Sequence, residues 1–334
     1  MTTKVKNEVY RVLNSNRNII TACFGNKVIR CISKTPELSP VVNDLILVNI
    51  DTTPISIKSI LPRKNIFFRK ELKTKIISVN LDHIFLIISG EPKFTPNLLL
   101  SVLLRALDQN IPISLVLNKK DLIKEFETAK KILLSLFPCY LKASSNDLHL
   151  FNQIFSSKLL ENSNTSNEGL IEIKKKIQEI HEQKKSDKAI CFIGQSGSGK
   201  SSLIKKIIPD ADPRIGEISN TRKKGKHTTT TSYAYSLKKF EKGFSKLWII
   251  DTPGIENFGI SDLSLNAIQR LFPDFSEIVT TYGPCKFSDC KHDHEPGCTI
   301  KRLSKAYSKS SLDKSSKLLC RLELWRELTR TLMN

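Results

Sequence analysis

Acidic residues are scarce in this chain of 334 residues. Only 33 Asp and Glu stand against 53 Lys and Arg, a formal charge of +20. Such a balance favours a polyanionic partner, nucleic acid or an anionic membrane, and charge alone does not choose between them. Also missing is any uninterrupted run of about 18 apolar residues, which argues against a membrane-spanning helix. The opening stretch Met1-Thr2-Thr3-Lys4-Val5-Lys6-Asn7-Glu8 has no apolar signal core, so a cytoplasmic protein without a membrane partner is expected. Paired cysteines are lacking as well. Of the eight, Cys23, Cys31, Cys139, Cys191 and Cys320 stand singly, most among apolar or β-branched neighbours, and read as buried or incidental thiols.

The length exceeds one typical domain of roughly 100–200 residues, and the pattern along the chain divides into three. Up to residue 70, short β-like runs separated by Gly, Asn, Asp and Pro suggest a small barrel, of OB type or SH3-like. From 71 to 272, apolar strands alternate with helical stretches, the signature of a parallel sheet covered on both faces. From 273 to 334 that rhythm stops, a cysteine cluster appears, and then comes a helix with Leu318, Leu319, Leu322 and Trp325 as its apolar stripe.

Two motifs sit at predicted strand ends, where open α/β sheets bind ligands. The strand 188–193 runs into Gly194-Gln195-Ser196-Gly197-Ser198-Gly199-Lys200-Ser201-Ser202, a phosphate-cradling loop. Its glycines let backbone N–H groups wrap the β-phosphate, Lys200 reaches the β- and γ-phosphates, and the Ser201 hydroxyl coordinates Mg²⁺. The strand 113–117 runs into Asn118-Lys119-Lys120-Asp121. Asp121 can accept from both N1–H and the exocyclic amine of guanine, a donor pair adenine lacks, while Lys119 packs along the base. Ser144 and Ser145 are candidates for the backbone N–H that meets the guanine carbonyl. The polar stretch 161–168 reads as a solvated connection. The guanine motif precedes the phosphate loop, the reverse of the usual order, and this inversion marks a circularly permuted GTPase.

A second phosphate element succeeds the apolar run 247–250 as Asp251-Thr252-Pro253-Gly254. Asp251 can hold Mg²⁺ through water, and the Gly254 N–H can meet the γ-phosphate. Between the two phosphate elements lies a run of four threonines, Thr228-Thr229-Thr230-Thr231, of which Thr229 or Thr230 is the candidate to complete the Mg²⁺ shell when triphosphate is bound. Ile255 occupies the place where Ras-type enzymes carry the glutamine that orients the attacking water, so intrinsic hydrolysis should be slow. His227 is either its substitute or the cap of a solvated basic loop.

Cys285, Cys290, His292 and Cys298 give three thiolates and one imidazole, a set that satisfies one tetrahedral Zn²⁺ with no open position, hence a structural site. His294 is the alternative imidazole.

Taken in order, Pro62-Arg63 with Asn65, Asn80 with Asp82, Asn118 to Asp121, the phosphate loop, Gly225-Lys226-His227 with its threonines, Asp251 to Gly254, and Cys285 to Cys298 with Glu295-Pro296-Gly297 make the chain resemble the RsgA (YjeQ/YloQ) family of small ribosomal subunit biogenesis GTPases over nearly its whole length. The resemblance implies an OB-fold RNA-binding domain over 1–70, a circularly permuted P-loop GTPase domain over 71–272 and a zinc-binding, helical C-terminal domain over 273–334. It implies GTP and GDP as ligands, the small (30S) subunit and its 16S-type rRNA near the decoding region as partner, and a late maturation step ended by ribosome-stimulated hydrolysis. It also implicates His227 in hydrolysis, and a monomer is expected. Departures from the family pattern are Asn43-Asp44 for Gly-Asp, Lys226 for arginine, and a longer connection over 146–169. A scaffold with a mainly structural nucleotide site is the competing function, and intact Lys200, Ser201 and Asp251 oppose it. An ATP-using P-loop enzyme is opposed by Asn118 and Asp121.

Overall fold

The computed structural model describes residues 8–16, 18–35, 38–70, 72–136, 159–183, 186–208, 231–237, 247–269, 271–308 and 313–333. Strands β1 (Tyr10–Asn16), β2 (Ile19–Phe24), β3 (Lys27–Ile32), β4 (Leu45–Asn49) and β5 (Ser56–Ile60) close a barrel in the order β1-β2-β3-β5-β4. The parallel contact of β3 with β5 at Ile32 and Ser56 gives the OB order, which the sequence pattern leaves open against an SH3-like barrel. Tyr10, Val12, Ile20, Ala22, Ile29, Cys31, Ile46 and Ile57 fill it. Asn43 is fully buried with φ +73°, a left-handed position that explains why asparagine can stand where glycine is usual. Its side chain donates to the carbonyls of Val79 at 2.7 Å and Asn80 at 3.2 Å, fastening the barrel to the backbone that enters the central sheet. Arg63 forks onto Asp44 with two bonds of 2.8 Å beside it.

A two-stranded hairpin, β6 (Ile66–Lys70) with β7 (Thr74–Val79), leads into the six-stranded sheet, so residue 70 falls within a paired unit. The sheet order is β10 (Leu160–Glu161), β9 (Ile113–Asn118), β8 (His83–Ser89), β11 (Lys188–Gly194), β13 (Leu247–Asp251), β12 (Tyr233–Ser236). All neighbours run parallel except the β12–β13 edge pair. Strands β8 and β11 are buried along their full length, as central strands covered on both faces must be. Side chains alternate between the two cores. Ile84, Leu86 and Ile88 join the layer of α1 (Pro96–Asp108) and α2 (Ile123–Leu136), while Phe85 and Ile87 join that of α3 (Leu170–Glu182) and α4 (Lys200–Ile207).

Beyond β13 the chain first docks on the hairpin, where Lys70 N donates to Gly259 O at 2.9 Å and Lys70 bridges Ile260. Arg105 of α1, fully buried, pairs with Asp262 at 2.5 Å and stacks on Phe68 at 3.8 Å. The helices α5 (Leu265–Gln269), α6 (Pro273–Tyr282), α7 (Thr299–Ser308) and α8 (Asp313–Met333) complete the described chain. Trp325 and Leu328 of α8 belong to the same apolar core as α1 and α2, so the C-terminal unit is packed onto the sheet's helical layer. Among the described residues, no helix is long and apolar enough to cross a membrane.

Candidate functional site

Strands β9, β11 and β13 are neighbours or next neighbours in one parallel sheet, so their carboxyl ends converge. The guanine motif, the phosphate loop and residues 251–254 all leave from those ends. The phosphate loop turns through Gly197 (φ +78°) and Gly199 (φ +86°), left-handed values that suit glycine, and α4 starts at Lys200. A concavity of about 470 Å³ is lined by Lys119, residues 195–197, residues 199–202, Lys205 and Gly254. This is the mouth of a helix N-terminus walled by backbone amides, a setting suited to phosphate.

Gly254 lies against that loop. A Cβ there would stand 2.8 Å from the backbone N and Cα of Ser196, so only glycine permits the approach. Lys200 and Asp251, both buried, form an ion pair at 2.6 Å, and Lys200 also donates to the Thr252 carbonyl. The Thr252 hydroxyl donates to Phe192 O at 2.8 Å, and Ile255 N to Gly194 O at 3.1 Å, so 252–255 is stitched to β11. Ile255 is itself buried and offers no polar group to a water.

Asn118 is fully buried and spans the two halves of the cleft, donating to Ser198 O at 2.8 Å. A Cβ on Gly199 would strike its Nδ2 at 2.3 Å, a further reason for glycine there. Lys119 is half-buried with φ +65° and lines the concavity. Asp121 is exposed, and a hydrogen bond from the Ser163 hydroxyl at 2.6 Å holds its carboxyl below the usual range. It is therefore an anion, as an acceptor for two guanine donors has to be.

The stretch 161–168 corrects the expectation of a solvated connection. Strand β10 is only two residues long, but it pairs in parallel with β9, Leu160 with Val116 and Glu161 with Leu117. It thereby delivers Asn162 and Ser163, both buried, onto the guanine motif. Asn162 donates to Asn118 Oδ1 at 2.7 Å, and Asn164 to Gly199 O at 2.9 Å. The amides of Asn162 and Ser163 are taken by Leu117 O and Glu168 O, and those of Thr165 and Ser166 by the Ser163 hydroxyl. That of Asn164 has no acceptor among the described residues. The sequence shows only the second half of the rhythm that marks the other two motifs, a Ser/Asn-rich loop followed by the helical apolar spacing Leu170, Ile173, Ile177. Ser144 and Ser145 lie outside the described residues, as do His227, Thr229 and Thr230.

The second site lies between α6 and α7. The sulfurs of Cys285, Cys290 and Cys298 and the Nδ1 of His292 all fall within 4.8 Å of one another. The His292 Nδ1 is 3.7, 3.5 and 3.3 Å from the three sulfurs, and Cys285 Sγ is 3.9 Å from Cys298 Sγ. Bond lengths of about 2.3 Å to sulfur and about 2.0 Å to nitrogen give tetrahedral edges of roughly 3.5–3.8 Å, so the four donors fit one such ion. His294 is exposed and pairs instead with Asp293. The His292 ring packs edge-on to Phe275 and 5.3 Å from Trp325, whose Nε1 donates to Lys291 O at 2.6 Å. Glu295 accepts from the amides of Lys291 and Asp293, closing the ligand loop.

A closed barrel, a sheet whose guanine-side strand precedes its phosphate-side strand, and a Cys₃His unit together define a circularly permuted GTPase. The sequence model of the RsgA GTPase family matches residues 60–261. The small ribosomal subunit biogenesis GTPase RsgA of Variovorax paradoxus is 30% identical over 284 residues, 83% of this chain and 78% of that protein. The RsgA of Ralstonia pickettii is 34% identical over 239 residues, 71% and 67% of the two. The crystal structure of YjeQ from Thermotoga maritima superposes with a TM-score of 0.61 at 22% identity, covering 98% of this chain and 99% of that one. The circularly permuted GTPase YloQ does so at 0.56 and 19%, covering 99% and 98%. The chain belongs to the RsgA GTPase family and is a GTP-hydrolysing enzyme.

Proposed function

We propose that this enzyme serves the biogenesis of the small ribosomal subunit, binding the subunit's rRNA near the decoding region and leaving when the subunit stimulates GTP hydrolysis. The observation that supports the nucleotide half is that the segments 118–121, 194–202 and 251–254 follow strands of one sheet, and that Lys119, residues 195–197 and 199–202, and Gly254 line one cleft. The ribosomal half rests on the names of the relatives and on the charge of +20.

In the cleft, Asp121 accepts from guanine N1–H and the 2-amino group, and the Asn164 N–H, which has no acceptor among the described residues, donates to the C6 oxygen, the role the sequence suggests for Ser144 or Ser145. Loop amides and Lys200 hold the phosphates, for which Lys200 must swing from Asp251. Ser201 and Asp251 would hold Mg²⁺, whose charge offsets that of the phosphates, and Thr229 or Thr230 would complete its shell. The Gly254 N–H meets the γ-phosphate. With Ile255 apolar, His227 orients the attacking water, and its placement by the subunit accounts for stimulation. Cys285, Cys290, His292 and Cys298 hold one structural Zn²⁺. The ranges 1–70, 71–272 and 273–334 act as RNA-binding, GTPase and zinc-binding domains of a cytoplasmic monomer.

The test is GTP turnover with small and large subunits added separately, for the native protein and for His227→Ala. Acceleration by small subunits alone, lost in the variant while binding persists, is expected. Equal rates with and without small subunits would refute the ribosomal reading.

A further inference from the structure

Helix α4, which begins with the phosphate-loop lysine, carries Lys205 and Lys206 in its last turn. A cation there ordinarily complements the negative end of the helix. Lys206 has more specific partners. Half-buried, it donates through Nζ to the carbonyl of Asn164 and to the side-chain oxygen of Asn167, both in the loop after β10. The same Asn164 donates its side-chain amide to Gly199 O at 2.9 Å, at the head of that helix, and accepts from Asn162 Nδ2 at 2.9 Å. One helix therefore grips one residue of the loop at two points, from its first turn and from its last.

Those bonds leave Asn164 little freedom about its own backbone, and its N–H has no acceptor among the described residues while the amides of Asn162, Ser163, Thr165 and Ser166 are engaged. The geometry points to Lys206 as a positioning residue for base selection: by pinning Asn164 to the phosphate-loop helix it aims the Asn164 N–H at the C6 oxygen of guanine. The inference rests on the reading of Asp121 and Asn164 given above. It adds that the residue setting the base-reading loop stands on the phosphate-reading helix, outside every motif that touches the nucleotide. Guanine presents an acceptor at C6 and adenine an amine, so an N–H held at that point favours the one and opposes the other. A lysine acting only on the helix end has no such preference.

The experiment measures GDP and ADP affinity by competition for the full chain and for Lys206→Met, Lys206→Arg and Asp121→Asn, with melting temperatures for each. Loss of charge-assisted hydrogen bonds should weaken GDP binding about tenfold in Lys206→Met, with ADP changed by less than about twofold, so the preference for GDP falls. Lys206→Arg, which keeps the donors, should recover most of it. In turnover, Lys206→Met should raise KM for GTP and leave kcat nearly intact. An equal loss for GDP and ADP, or no loss for either, overturns the role of Lys206. Should Asp121→Asn keep full GDP affinity, the guanine reading itself fails, whatever Lys206 does. A weakened Asp121→Asn beside a Lys206→Met of unchanged preference would sink the Lys206 inference alone.

Discussion

The ammonium of Lys200 donates to Asp251 Oδ1 at 2.6 Å, with side chains only 5% and 11% exposed. The pair joins the start of α4 to the end of β13, the two elements proposed above to grip phosphate together. Removing one member of a buried pair leaves a charge uncompensated, at a cost of about 3–5 kcal/mol. Lys200→Met is therefore expected to lower stability by about 3 kcal/mol in urea unfolding without added nucleotide, besides abolishing phosphate binding. The double variant Lys200→Met, Asp251→Asn should recover part of the loss. A single variant as stable as the native protein would show that the pair does not carry this load.

Gly254 makes a sharper kinetic prediction. An alanine Cβ would stand 2.8 Å from the Ser196 backbone, so Gly254→Ala must push the 252–255 segment off the phosphate loop. On the reading proposed above, guanine and the β-phosphate are held elsewhere, and only the γ-phosphate contact is displaced. GTP turnover should fall by about a hundredfold, the scale of a lost oxyanion-type donor, with GDP affinity within about threefold of native. A parallel loss of GDP affinity would mean that the clash distorts the whole loop.

How far the sequence foretells this site depends on element length. Strands β9, β11 and β13 are five to seven residues of largely apolar chain, and the pattern alone places a motif at the end of each. Strand β10 has two residues, too few to carry a period, and the Asn162–Asn164 contacts it delivers consequently look like solvated loop in the sequence. The barrel's existence is legible from its short runs. Its OB order is not, because a single parallel pairing at Ile32 and Ser56 decides it and has no local signature. The choice of His292 over His294 is likewise a matter of three-dimensional aim, with equal chemistry two residues apart. Lys206 is invisible for a different reason: its partners in the chain are Asn164 and Asn167, on a separate element, and a lysine at a helix end is otherwise commonplace.

His83 opens the sheet's central strand and is buried, with its Nε2 2.8 Å from the Ser114 hydroxyl. Burial, with a contribution from Lys176, depresses its pKa from 6.5 to about 3. Between those values the unfolded chain binds a proton that the folded protein refuses. The resulting stability is fully present above about pH 6.5 and is lost as pH falls toward 3, at up to about 1.4 kcal/mol per unit. Unfolding midpoints measured at about pH 7, 6 and 5 should decline, and decline less in His83→Gln, which removes the titration but can keep a hydrogen bond to Ser114. Identical slopes for the two proteins would assign the acid sensitivity to other groups.

The Cys₃His cluster supports the last prediction, because its histidine is also part of an aromatic cage. His292 lies 5.3 Å from Trp325 and 5.5 Å from Phe275, and Trp325 is bonded through Nε1 to the backbone of Lys291, next to the ligand. Burial pushes the Cys290 thiol up to about 12 and raises that of Cys298, so without a cation these two thiols hold their protons and the four donors lose their reason to converge. The protein should therefore carry close to one zinc per chain by elemental analysis. Stripping it with a chelator should open the ligand loop, expose Trp325 and shift its emission to the red, and one equivalent of zinc should reverse the shift. Trp248, the other tryptophan, lies in β13 and should not respond. In Cys290→Ser the shift should already be present and added zinc should not reverse it. A protein that purifies without metal and keeps the native Trp325 emission would show that apolar packing alone, with no ion, holds the C-terminal unit on the sheet's helices.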